Sequence, residues 1–147
     1  PFRLTPLVED DMLLVLPHDH PLCRQEEVPL ASLREERIIV PAEGLDYDVG
    51  NILRCAGCAV TERASVNSDY SALTLVGQER GVTILPRMLL GDYDDQRIRL
   101  RYLEGRPTRT ICLATLPQQR LSPAAELFCR YITDMFHAQT DTAPERI

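Results

Sequence analysis

Asn67, Ser68, Asp69 and Tyr70 stand directly ahead of an apolar helical pattern, where residue type and spacing both suit a small molecule. Asn67, Ser68 and Asp69 can each accept a hydrogen bond from an orphan amide at a helix N-terminus. Ala72, Leu73 and Val76 then share one helical face, with Ser71, Thr74 and Gln78 opposite. Gly81 sits where a left-handed residue would end that helix, and Val82, Ile84 and Leu85 read as a buried strand stopped by Pro86. A strand-and-helix unit of this kind aims helix-end amides and small polar groups at a cleft. The alternative for each polar residue is plain helix capping with no ligand.

Other reactive clusters carry less. Cys55-Ala56-Gly57-Cys58 has redox spacing, but activated thiols of that motif sit at a helix start, and Gly57 signals a helix end. With no second cysteine pair, a zinc ribbon is not expected either. His18-Asp19-His20 with Cys23 lies in a proline-bracketed loop, with no third group of ligands nearby in sequence. Asp92, Asp94 and Asp95 form a solvated acidic run, and no G-x-S-x-G elbow occurs. All sixteen basic residues are arginine, which removes Schiff-base and phosphate-loop lysine chemistry. The chain is not expected to be an enzyme, and no cofactor or metal is implied.

These residues need elements to hold them. Phe2 to Leu16 reads as extended, ending in the continuous apolar run Met12-Leu13-Leu14-Val15-Leu16 of a strand covered on both faces. Pro29 to Glu36 predicts one or two helical turns before the strand Arg37-Ile38-Ile39-Val40. Val49, Ile52, Leu53 and Ala56 recur at helical spacing, and Val60 to Val66 is strand-like. Met88-Leu89-Leu90 makes one turn. Ile98, Leu100 and Tyr102 alternate with arginines, and Thr110 to Leu116 is nearly apolar. Ser122-Pro123 opens a final helix carrying Leu127, Phe128, Tyr131, Ile132, Met135 and Phe136, and periodicity fades from about His137. Strands alternate with helices, so the fold class is α/β with a largely parallel sheet.

At 147 residues, 44% hydrophobic and 26% charged, the chain suits one domain or two small lobes. A net charge of −6 argues against a nucleic-acid surface on this piece. No apolar run approaches a membrane span and no signal segment opens the chain, so no membrane partner is expected. Five cysteines, an odd and scattered set, favour a reducing cytoplasm. A first residue of proline suggests an internal piece of a longer polypeptide.

The order of landmarks resembles the effector-binding domain of LysR-type transcriptional regulators. The matching pieces are Asp11 to Pro17 with His20-Pro21-Leu22, Val28-Pro29-Leu30 with Leu33, and Ile38-Ile39-Val40. They continue with Leu75-Val76, Gly81-Val82, Ile84-Leu85-Pro86 and Leu121-Ser122-Pro123-Ala124-Ala125 with Phe128. The resemblance implies a fold like type 2 periplasmic binding proteins, two lobes around a cleft. By analogy, residues 1–37 form part of the first lobe and a crossover, and 38–90 the complete second lobe. Residues 91–138 form the return crossover and the rest of a partial first lobe, with 139–147 a tail. The family's usual glycine pair is reduced to Glu79-Arg80-Gly81, with the left-handed position expected to be the one retained, at Gly81.

The resemblance implies a small-molecule effector, a homo-oligomer, and DNA contact only through an amino-terminal domain outside this chain. It places the effector on two strand-to-helix loops: Pro41, Glu43 and Gly44, and Asn67, Ser68, Asp69 and Tyr70. Asp69 would repel an anion at the helix start, so an effector with an amine, hydroxyls or a bound cation suits it better. A solute-binding protein of a transporter shares the architecture and stands as the alternative, and a thiol enzyme built on Cys55 and Cys58 is a third reading.

Overall fold

The apolar run from Met12 lies in a long strand, β1 (Arg3–Pro17), where Leu14, Val15 and Leu16 are fully buried. The computed structural model describes residues 2–41, 47–55, 57, 62–91, 93, 95–116 and 121–140. Successive residues of β1 feed opposite faces of the sheet, as the pleat requires. Met12, Leu14 and Leu16 pack with Val28, Leu33 and Ile38, whereas Leu13 and Val15 pack with Leu73, Val76 and Leu85. Hence the run is continuous rather than alternating: both faces are covered.

After β1 come a short 3-10 turn (Pro21–Arg24), β2 (Glu27–Val28), a second 3-10 turn (Leu30–Glu35) and β3 (Arg37–Pro41). Then follow α1 (Tyr47–Cys55), β4 (Glu62–Val66), α2 (Asp69–Gly77), β5 (Thr83–Pro86) and α3 (Arg87–Leu90). The chain continues with β6 (Ile98–Leu103), β7 (Thr108–Thr115) and α4 (Pro123–Thr140). Ala72, Leu73 and Val76 of α2 are buried while Ser71, Thr74 and Gln78 are exposed, as the helical spacing predicts.

One sheet runs β2-β6-β1-β5, with β7 also paired to β1. β3 and β4 form a parallel pair, tied to the start of β5 by a parallel bridge between Ile38 and Val82. The expectation of a largely parallel sheet is corrected here, because β1 runs antiparallel to both β5 and β6. A helical crossover enforces parallel pairing only on the strands it joins, such as β3 and β4 around α1. Strand β1 reaches its neighbours by longer routes, free of that constraint. The polar face of β6 also has a use. Arg101 donates from Nε and Nη2 to the carbonyl of Cys23, at 3.0 and 2.6 Å, and so clamps the turn that follows β1.

Contacts divide the chain into two compact units, Asp11–Arg109 and Pro1–Asp10 with Thr110–Ile147. The first contains the whole of the 38–90 span. It holds both hydrophobic clusters. In the other unit, Ser122 caps α4 by accepting from the Ala125 amide at 3.2 Å, as its sequence predicts. Leu127, Phe128 and Tyr131 of α4 are 58%, 58% and 64% exposed. The helix continues to Thr140, past the point where apolar spacing fades. Loss of an apolar stripe does not by itself unwind a helix whose next residues, Ala138 and Gln139, tolerate helical backbone.

The end of α2 differs from its expected form. Glu79, not Gly81, is the left-handed residue, at φ 58. The Glu79 amide donates to the Val76 carbonyl and the Arg80 amide to the Leu75 carbonyl, which is the paired closure of a Schellman end. Gly81 is needed for another reason. Its φ is 148, and a β-carbon there would overlap the carbonyl oxygen of Arg37. The glycine lets the backbone approach β3 closely enough for the Val82 amide to reach that same carbonyl at 2.9 Å.

Candidate functional site

Strand register decides which strand ends lie side by side. Pro41 pairs with Val66, so β3 and β4 end side by side. Strand β5 runs parallel to β3 from the Ile38–Val82 bridge and ends at Pro86, opposite Met12. The carboxyl ends of three strands therefore lie at one end of the sheet, where α/β proteins hold ligands. The first turn of α2 follows β4 there, and α3 follows β5.

Ser68 is the N-cap of α2, with extended backbone, and its oxygen accepts from the Ser71 amide at 3.2 Å. The two hydroxyls are 2.9 Å apart, and the Ser68 carbonyl accepts from the Ala72 amide. Ser68 thus does the work of a cap. The amides of Asp69 and Tyr70 come before the helix's own ladder can reach them. Asn67 is exposed, Asp69 half-buried, and the Tyr70 ring 68% exposed. Pro41 closes β3; Glu43 and Gly44 lie outside the described residues.

Between β3 and β5 the pairing stops early. The Ile39 amide donates to the Val82 carbonyl, but the Ile39 carbonyl accepts from the Thr83 hydroxyl, at 2.7 Å. Thr83 is fully buried. Its side chain satisfies a buried carbonyl where a longer ladder would have supplied an amide.

Sequence reasoning passed over a cluster at the same end. Arg87, the residue after β5, donates from Nη1 to the Tyr102 hydroxyl at 2.9 Å and lies 3.6 Å from an Asp11 carboxylate oxygen. The Arg106 guanidinium stacks over the Tyr102 ring, 4.3 Å from its centre. An arginine directly after a proline-ended strand was the available signal, because that position is a strand's carboxyl end.

A cavity of about 510 Å³ lies at the opposite end, lined by Pro17, His20, Glu36, Arg37, Arg80 and Gly81 among others. His20 accepts from the Leu22 amide through Nδ1, so the neutral ring carries its proton on Nε2, 3.3 Å from Glu36. His18 pairs with Asp19 instead, at 2.9 Å. Cys23 donates to the Pro17 carbonyl, and burial pushes its thiol up, away from the reactive thiolate. Cys55 is exposed at the last residue of α1, while Cys58 lies outside the described residues.

The family model described as LysR substrate binding domain matches residues 1–137. A relative from Bacillus subtilis (strain 168), the uncharacterized HTH-type transcriptional regulator YvbU, is 26% identical over 134 residues. That alignment covers 90% of this chain and 46% of the relative, so the chain spans about half the length of the curated relatives it matches. The CcmR regulatory domain of Synechocystis PCC6803, solved with 2-PG, superposes with a TM-score of 0.83 at 19% identity. It covers 92% of this chain and 67% of that one. The BenM effector-binding domain, solved with its effector benzoate, gives 0.81 at 20% identity, covering 97% and 67%. The likeness extends to the periplasmic-binding-protein-like type 2 fold of such domains. The chain belongs to the LysR substrate-binding domain family.

Proposed function

We propose that this chain is the effector-sensing part of a LysR-type DNA-binding transcriptional regulator of the cytoplasm. A small molecule binds at the carboxyl ends of β3, β4 and β5, against Pro41, Glu43, Gly44, Asn67, Ser68, Asp69 and Tyr70. The observation that supports this reading is the register, since Pro41 pairs with Val66 and β3 and β4 therefore end side by side. Residues 38–90, all within the unit Asp11–Arg109, are taken as the second lobe, and 1–37 with 91–138 as the crossovers and the partial first lobe. An effector shifts the protein between arrangements only by its differential affinity for them. The shift is relayed to DNA through an amino-terminal domain of the whole regulator.

Charge, exposed surface and relatives bear on the partner assignments. The net charge of −6 disfavours direct DNA contact by this piece, so the isolated chain is expected to give no salt-sensitive gel shift. Exposed Leu127, Phe128 and Tyr131 favour self-association, which light scattering detects as a species larger than 16.6 kDa. Among the described residues no helix is long and apolar enough to cross a membrane. The relatives are regulators, which favours sensing over solute delivery to a transporter.

The test is an amide-resolved NMR titration of the chain with small organic acids, amines and sugars. Shifts that cluster on Asn67 to Tyr70 are expected. A ligand whose shifts cluster instead around His20, Arg37 and Arg80 would overturn the assignment of the site.

A further inference from the structure

We propose that the cavity between the turn after β1 and the α2–β5 loop is a further ligand site, and that it takes an α-amino acid. Its walls belong to the unit Asp11–Arg109. It opens where β1 and β5 part. Their pairing runs as far as Val15 and Thr83, and the same register continued would set Pro17 opposite Gly81. Pro17 has no amide to offer, and its carbonyl already accepts from the His20 amide at 3.0 Å and the Cys23 thiol at 3.3 Å. The ladder therefore stops, leaving a volume of about 510 Å³, within the range of small-molecule sites.

The walls are held in place before any guest arrives. Gly81 is seated against the Arg37 carbonyl, and the amides of Glu79 and Arg80 are locked into the end of α2. The His20 ring is fixed by the Leu22 amide on one side and lies 3.3 Å from Glu36 on the other. What this frame leaves open is the Gly81 amide and the Arg80 guanidinium, which donate to no described residue. The Glu79 carboxylate is likewise without an ion pair among the described residues.

Charge then selects the guest. Asp19, Glu36 and Glu79 oppose a simple anion, and Arg37 and Arg80 oppose a simple cation. A molecule carrying both signs a few ångströms apart meets neither objection. Its carboxylate pairs with Arg80 and the Gly81 amide, and its ammonium with Glu79. Glu36 suits the ammonium less, because His20 already engages it. Pro17 and Pro21 give an apolar wall, and the volume admits a large side chain beside it. These are the demands of an amino acid whose side chain is apolar.

The experiment titrates the chain with L-leucine and L-phenylalanine, with binding read by calorimetry and by amide shifts. Each is set against the acid that lacks its amine (isocaproate, hydrocinnamate) and the amine that lacks its carboxylate (isopentylamine, phenethylamine). At least one amino acid is expected to shift His20, Arg37, Gly81 and Val82, and to bind at least about 10-fold tighter than both its analogues. Arg80→Gln should lower its affinity to that of the amine, with Arg80→Lys keeping part of the difference. Glu79→Gln should lower it to that of the acid. Analogues that bind as well as the amino acids, or no shift at those amides, overturn the inference, and the wild-type comparison stands even if a variant misfolds. An amino acid that moves only Asn67 to Tyr70 also overturns it. Sugars and singly charged acids and amines should leave the amides of this cavity unmoved, so this site and the effector site can fail independently.

Discussion

Gly81 and Arg37 are in backbone contact: the amide after the glycine bonds the Arg37 carbonyl, and a β-carbon on the glycine would strike that oxygen. Gly81→Ala therefore combines an unfavourable φ with a clash against main chain that cannot rotate away. A loss of about 3 kcal/mol is expected, read as a lower urea midpoint. A midpoint within error of wild type would mean the two segments separate at little cost.

Glu79 carries the reverse prediction. A non-glycine residue at φ 58 is held in a conformation that glycine adopts freely. Glu79→Gly should stabilise the chain by about 0.5–1 kcal/mol, after allowing for the extra freedom of an unfolded glycine. A thermal melt checks the direction, and a fall in Tm would contradict the left-handed assignment.

Thr83→Val keeps the shape of a fully buried side chain and deletes its hydrogen bond to the Ile39 carbonyl. The orphaned carbonyl should cost about 1–3 kcal/mol. Denaturant curves give the size of the loss, and amide exchange at Leu73 and Val76 shows whether it spreads into α2.

Acid titration should report on Asp95. Side-chain hydrogen bonds from Arg97, at 2.9 and 2.6 Å, and its backbone amide at 2.9 Å hold the carboxyl well below the usual carboxylate range. A group depressed in the fold adds stability above its unfolded value, about pH 4 for aspartate, and loses it as pH falls towards the folded value. Asp95→Asn should therefore flatten the decline in urea midpoint below about pH 4. The effect will be modest, because Arg97 is well exposed and water screens the pair. Parallel declines in wild type and variant would place the acid sensitivity elsewhere.

The helical faces and strand positions were legible in the sequence because burial writes its period into residue type. Ala72, Leu73 and Val76 declared the inward face of α2, and the unbroken run of β1 declared cover on both sides. What stayed hidden depends on contacts distant along the chain. Gly81 looked like a helix stop because local pattern cannot show that β3 passes against it. Arg87 and Asp11 are 76 positions apart in sequence, and only the β1–β5 pairing brings them together. The direction of β1 was likewise invisible, since a strand's period is the same whichever way it runs.

Thr83 ends the seam between two strands with a hydroxyl in the place of a main-chain amide. The point at which β3 and β5 part is thereby delegated to one side chain of a few atoms, and with it the last bond that ties the Ile39 carbonyl to the neighbouring strand.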